Sequence, residues 1–277
     1  MRQNIKKWAA AGLAVSLAVL ALAGCAAKSA ATEESAAKPL VVAMELAYPP
    51  FEMKDDAGNP SGISVDFAKA FGKSIGREVE IVDTAWDGLI PSLQTGKADM
   101  VVSSMTITEE RKQSVDFSDP YANSLLAILA NKDSGSASID DLNQPGKKVA
   151  VKNGSTGHMY AQTHLTNAEL IVLADESACV TEVAQGKADG FLYDQLTIYR
   201  NWQKNQDTTT AIFVPYQDVE KWGVAVKKGN TELLGQINDF IASYTADGGF
   251  DKLTETYMPD EKAAFDKLGF RWFFDLS

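Results

Sequence analysis

Two segments of the chain read alike. LQTGKADMVVSSMT at 93–106 and VAQGKADGFLYDQLT at 183–197 each leave a helical pattern through Gly-Lys-Ala-Asp and enter a short apolar run. Gly96 and Gly186 stand 90 residues apart. A four-residue match gains weight when the patterns before and after it also match. A chain that repeats a helix–turn–strand unit in this way is constrained to two similar α/β lobes. The strand ends then correspond, Ser104 in the first copy with Asp194 in the second.

The surrounding text supplies the rest of both lobes. PLVVAM at Pro39–Met44 predicts a buried strand, and 47–62 is dense in turn residues. Ile63, Phe67, Ala70, Phe71 and Ile75 have helical spacing, with Gly76 placed to end the helix. Strands are expected at Val79–Val82 and Ala98–Val102, with a helix over Trp86–Thr95 between them. In the second half, strands are expected at Lys148–Val151, Leu170–Leu173 and Phe191–Tyr193. Helices are expected over His158–Leu165 and Glu176–Gln185, with a GSTG turn at 154–157. Such alternation predicts the α/β class with mostly parallel sheets.

Ligands in open α/β sheets collect beyond the carboxyl ends of the strands. Two facing lobes therefore define a cleft. One wall carries Ser103, Ser104, Thr106 and Arg111, and the other Ser155, Thr156 and Asp194. Arg111 offers a planar fork for a carboxylate beside a helix start. Asp194 is a counter-charge that also suits the N-cap of a helix from Gln195. A cation on one wall and an anion on the other describe a zwitterionic ligand. Tyr48, Trp86 and Tyr193 are candidates to stack on it. His158 and His164 are six residues apart and no acid or Cys joins them at ligand spacing, so neither a metal nor another cofactor is expected. GSTG is too short for a phosphate loop.

The N-terminus reads as processing signal rather than fold. Arg2, Lys6 and Lys7 precede an apolar run from Trp8 to Ala23, then Leu22-Ala23-Gly24-Cys25. This resembles a bacterial lipobox, in which Cys25 is lipidated and becomes the mature N-terminus. Residues 1–24 are thus the expected lipoprotein signal peptide and 25–38 a small, polar, flexible tether. Removal of the three cations takes the net charge from −11 to −14. That balance excludes nucleic acid as a natural partner. Cys179 is the remaining cysteine and reads as a small buried hydrophobe on a helix.

YPPFEMKD, the Gly62–Asp66 run, WDGLIPSLQTGKAD, SSMTITEERKQSVDFSDPY, KKVAVKNGSTG, GKADGFLYD and WGVAVKKGN together resemble the extracellular solute-binding proteins of amino-acid ABC importers, family 3. The resemblance covers roughly residues 39 to 258. It implies two α/β lobes of the type II periplasmic binding-protein kind, joined by crossings near Tyr121–Leu125 and Asp218–Trp222. Lobe 1 would hold 39–122 with 222–277, and lobe 2 would hold 123–221. It implies that Arg111, helped by Thr106 and the GSTG turn, holds a ligand α-carboxylate, and that Asp194 holds the α-ammonium. The ligand side chain would lie among Glu45, Tyr48, Trp86, Ser103 and Lys152. Glutamine binders of the family carry an acid and a lysine at the Glu45 and Lys152 positions, which favours glutamine or another polar neutral amino acid, with basic amino acids second.

The implied protein is not an enzyme. It is a lipid-anchored, extracytoplasmic monomer whose partners are a free amino acid, a permease and the membrane. A cyclohexadienyl dehydratase on the same fold and a sensor for a membrane receptor are the alternatives; no nucleophile–base pair supports the former. The aromatic segment after Pro259 goes beyond the family's usual end and is expected to pack on lobe 1.

Overall fold

The computed structural model describes residues 38–213 and 217–276. The expected signal segment, Cys25 and the tether up to Ala37 lie outside the described residues. β1 (Leu40–Met44) is almost wholly buried, as its unbroken apolar run requires. A loop holding β2 (Met53–Lys54) and β3 (Pro60–Ser61) leads to α1 (Ile63–Ser74), which buries Ile63, Phe67 and Phe71. β4 (Val79–Asp83), α2 (Leu89–Gln94) and β5 (Met100–Val101) continue the alternation. The helix expected from Trp86 is split, with a 3₁₀ turn at Trp86–Gly88 before α2. Pro91 explains the break. It lacks the N–H that a helix begun at Trp86 would need at that position, and it is tolerated in the first turn of a helix begun at Leu89.

α3 (Glu109–Lys112) and β6 (Val115–Phe117) precede the crossing strand β7 (Ala122–Ser124). Then come β8 (Leu126–Asn131), α4 (Ile139–Leu142), β9 (Lys148–Lys152), α5 (Thr156–His164) and β10 (Glu169–Leu173). α6 (Glu176–Ala184), β11 (Gly190–Asp194), α7 (Gln195–Lys204) and β12 (Thr209–Ile212) follow. α5 starts two residues before the expected His158, because the Ser155 hydroxyl accepts from His158 N and caps the helix at Thr156. The chain returns through β13 (Glu220–Trp222) and β14 (Ala225–Lys227), and ends in α8 (Thr231–Ala246), α9 (Gly249–Tyr257) and α10 (Pro259–Leu268).

Two five-stranded sheets result, ordered β4-β1-β5-β14-β6 and β10-β9-β11-β8-β12. In each, three strands are parallel: β1 with β4 and β5, and β9 with β10 and β11. β14 and β8 run antiparallel to both of their neighbours. Four strands of each sheet therefore run the same way and one is reversed, so the sheets are mostly parallel with a single antiparallel member. β8 and β14 each enter their sheet straight from a crossing strand, with no crossover helix to reverse the chain. The crossing strands pair antiparallel, Ala122 opposite Trp222 and Ser124 opposite Glu220.

Cys179 is free and fully buried between α6 and the second sheet, as expected of a small hydrophobe. The C-terminal segment packs on the first sheet's core, where Phe265 and Phe273 are wholly buried and Trp272 Nε1 donates to Thr254 Oγ1 at 3.2 Å. It also reaches the other side. The rings of Phe265 and Tyr199 lie 5.8 Å apart, and those of Phe270 and Phe213 4.8 Å. Among the described residues, no helix is long and apolar enough to cross a membrane.

Candidate functional site

The ends of β1, β5, β9 and β11 converge on one pocket. Eleven of the twelve residues expected to contact ligand line it: Glu45, Tyr48, Trp86, Ser103, Ser104, Thr106, Arg111, Ser155, Thr156, Tyr193 and Asp194. The twelfth, Lys152, ends β9 behind the lining. It forms an ion pair with Glu45 and lies over the Trp86 ring, 5.3 Å from its centroid. Glu52, Ser124, Leu126, Glu220 and Trp222 complete the wall.

Arg111 sits on the short helix α3, whose N-cap is Thr108; the Thr108 hydroxyl accepts from Arg111 N at 3.1 Å. The guanidinium stacks 5.2 Å from the Trp86 centroid on its way to the cleft. Nη1 donates to Thr106 O at 2.7 Å, and Nη2 reaches across to Gly154 O at 3.0 Å. Burial lowers its pKa to about 10, so it remains charged at neutral pH. Trp86 Nε1 donates to the same Gly154 carbonyl at 3.2 Å. Glycine suits that position: φ is +69°, and a Cβ would come within 3.3 Å of the Trp86 nitrogen.

Asp194 ends β11 and caps α7, its Oδ1 accepting from Leu196 N at 2.9 Å and Thr197 N at 3.1 Å. Its Oδ2 and the Tyr48 hydroxyl are buried without a hydrogen bond of normal geometry, and the Tyr48 hydroxyl interacts with the Asp194 carboxylate. Burial pushes the Asp194 carboxyl above its usual range. Tyr193 meets Tyr48 edge to face at 6.3 Å, which joins the aromatic walls of the two sides.

The serines serve the frame. Ser103 Oγ accepts from Glu45 N at 3.0 Å, and Ser155 caps α5. Ser104 is held at φ +48°, in the left-handed region, and its hydroxyl donates to Glu52 Oε2 at 3.1 Å. Ser64 Oγ donates to the same carboxylate oxygen at 2.6 Å. Burial nonetheless raises Glu52 to about 8, and it raises Glu176, at the start of α6, to about 8 as well. Glu52 is thus mostly protonated at neutral pH.

Sequence reasoning missed Glu52, Ser124, Leu126, Glu220 and Trp222. Glu52 stands in the turn-rich YPPFE loop, where no periodicity singles it out. Ser124, Glu220 and Trp222 belong to the crossing strands. The expected crossings at Tyr121–Leu125 and Asp218–Trp222 were the available signal, since the floor of an interlobe cleft has to be made from the segments that join the lobes.

Two mixed sheets joined by a two-stranded ladder, with a charged pocket at their strand ends, define a two-lobed binding protein. The sequence profile of the bacterial extracellular solute-binding proteins, family 3, matches residues 40–260. A probable histidine-binding protein of Neisseria gonorrhoeae is 35% identical over 263 residues, covering 93% of this chain and 97% of its own. The ancestral amino acid-binding protein AncCDT-1, described as a precursor of cyclohexadienyl dehydratase, superposes with a TM-score of 0.72 at 39% identity, over 79% of this chain and 94% of that one. An ancestral arginine-binding protein has been solved bound to glutamine and bound to arginine, with TM-scores of 0.71 and 0.72 at 36% identity; 79% of this chain is covered, and 97% and 98% of those. The chain belongs to the bacterial extracellular solute-binding proteins, family 3.

Proposed function

We propose that the chain captures a free amino acid in the cleft between its lobes, 39–122 with 222–277 and 123–221, and delivers it to an ABC importer. The observation that carries this reading is the placement of Arg111 and Asp194 on opposite walls of one pocket, the two charges a zwitterion requires. Arg111 recognises the α-carboxylate and Asp194 Oδ2 the α-ammonium. Thr106, Thr156 and the first-turn amides of α5 complete the frame. Tyr48, Trp86 and Tyr193 enclose the side chain, and Glu45 and Lys152 determine which side chain is accepted.

Besides the mostly protonated Glu52, three acids line the pocket, Glu45, Asp194 and Glu220, against Arg111 in the lining and Lys152 behind it. That balance supports a polar or cationic side chain over an acidic one. The relative solved with both glutamine and arginine has the same breadth. The lipobox supports anchoring of the mature chain through Cys25 on the extracytoplasmic face. Labelled palmitate should enter the wild-type chain and not Cys25→Ser.

The dehydratase alternative has less support, because the neighbour connected with it is itself an amino-acid-binding protein. A thermal-shift screen of the amino acids tests the reading. Ligand at a hundredfold over Kd adds about 2.7 kcal/mol of stability. At about 2–4 °C per kcal/mol for a chain of this size, the response is plain. A melting temperature indifferent to every amino acid would overturn it.

A further inference from the structure

The crossing strand β13 places one carboxylate where hydroxyls from opposite sides of the cleft converge. Thr106 follows β5 on the first wall, and Thr156 opens α5 on the second. Both Oγ1 atoms donate to Glu220 Oε2, each at 2.9 Å. Glu220 Oε1 accepts from Gln217 Nε2 at 2.6 Å. A hydroxyl has one proton to donate. With those protons on Glu220, Thr106 and Thr156 turn only lone pairs to the cleft and cannot hydrogen-bond a second carboxylate. Two carboxylates sharing that pair of hydroxyls would also repel. Thr106, Thr156 and Glu220 line a second, outer groove as well, so they form the partition between it and the inner pocket. Lys221 stands on that outer side, where a displaced carboxylate can turn.

We propose that Glu220 is a specificity-determining resident carboxylate: it holds the Thr106–Thr156 pair until an incoming ligand carboxylate takes over both hydroxyls, so capture is an exchange of one carboxylate for another. The inference rests on the amino-acid reading of the cleft and adds a filter to it. A ligand without an α-carboxylate has nothing to exchange, so the site rejects amines that carry the same side chain.

Calorimetry on the full chain tests this with L-arginine and with agmatine, which is arginine without its carboxylate. L-glutamine and 4-aminobutanamide form a second such pair of probes. Glu220→Ala should bind the amino acid at least tenfold more tightly than wild type, while the amine gains nothing. Glu220→Gln keeps an oxygen for both hydroxyls without the charge and should fall between; it decides the matter if Glu220→Ala does not fold. Unchanged or weaker amino-acid binding in folded Glu220 variants overturns the exchange and leaves the amino-acid reading standing. An equal gain for the amine overturns it too. A wild-type chain that binds neither of these and shows no thermal response to any other amino acid overturns the amino-acid reading, and the exchange falls with it.

Discussion

Lys152 and Glu45 meet as an ion pair between the end of β9 and the end of β1, and so tie the two sheets together across the cleft. Lys152 is 4% exposed and Glu45 13%. Lys152 also lies over Trp86, which faces Arg111 as well. In the proposed reading this pair balances the charge beside the ligand's side chain. Lys152→Ala releases Glu45 to face the cleft as an uncompensated anion. The ratio of affinities for arginine over glutamine should then rise at least tenfold, about 1.4 kcal/mol, in paired titrations. An unchanged ratio would show that this pair does not read the side chain.

Arg111 bonds main-chain carbonyls on both sides of the cleft, so the proposed carboxylate contact would be a second duty. Hydrogen bonds from charged groups contribute about 1.5–3 kcal/mol each. Arg111→Ala should weaken amino-acid binding at least a hundredfold, about 2.8 kcal/mol. It should also lower the melting temperature by several degrees without unfolding the chain. Arg111→Lys keeps the charge and loses the fork, so its affinity should fall between the two. Normal affinity for Arg111→Ala by calorimetry would sink the assignment.

Asp194 separates binding from stability more cleanly, because its two oxygens do different work. Oδ1 caps α7 and Oδ2 faces the pocket. Asn caps a helix about as well as Asp. Asp194→Asn should therefore leave the melting temperature nearly unchanged and weaken binding more than tenfold. Asp194→Ala should in addition lose about 1 kcal/mol of stability with the cap. If deaminated analogues bind as tightly as the parent amino acid, Asp194 does not hold an ammonium.

The doubled architecture was legible in the sequence because the Gly-Lys-Ala-Asp turns do the same mechanical job twice. Asp99 N donates to Val41 O at 2.8 Å, and its Oδ2 accepts from Val41 N at 3.0 Å. Asp189 N donates to Lys148 O at 2.7 Å, and its Oδ2 accepts from Lys148 N at 2.8 Å. Each Asp clasps the start of its sheet's central parallel strand, and Gly96 and Gly186 share a φ of +71°. The Asp partners lie 58 and 41 residues away, so it is the repetition of the four-residue motif, not a local contact, that marks it in the text. Glu220 has partners 114 and 64 residues away and no repeated motif around it to record what it does. Glu52 is similar, bonded to Ser104 at a separation of 52. The one reversed strand of each sheet, β14 and β8, was not legible because strand direction is a property of the crossings, and hydrophobic patterning does not encode it.

Glu52 predicts a pH dependence of stability. Its folded pKa, about 8, lies above the ordinary 4.5, so the folded chain binds the proton more tightly than the unfolded chain does. The contribution is fully present below pH 4.5 and is lost as pH rises through 8. Urea unfolding should show the wild-type chain less stable at pH 8.5 than at pH 5, on the order of a few kcal/mol. Glu52→Gln should flatten that slope. It should not abolish it, because Glu176, also raised to about 8, remains. A variant with the wild-type slope would mean that Glu52 is ionised throughout the range.

The C-terminal segment makes the strongest stability prediction. Phe265 and Phe273 are fully buried and Trp272 is 7% exposed. Each such side chain is worth about 1.5–3 kcal/mol when buried. The segment also bonds the crossing strand, with Asn123 N donating to Phe273 O at 2.6 Å, and meets α7 through Arg200 and Glu261 at 3.4 Å. A chain ending at Pro259 loses these anchors and uncovers Phe51, Trp222 and Phe250, whose rings pack on Phe273 and Phe274. It should melt at least about 10 °C lower, at about 2–4 °C per kcal/mol. Phe273→Ala, which leaves the rest of the segment in place, should cost about 3–5 kcal/mol by itself. Because the segment touches the first sheet's core, a crossing strand and α7 together, its loss should also alter how the lobes close, seen as a change in the ligand-induced compaction measured by solution scattering. A truncated chain that melts at the wild-type temperature and loses only self-association or transport would reassign the segment from the core to a partner interface.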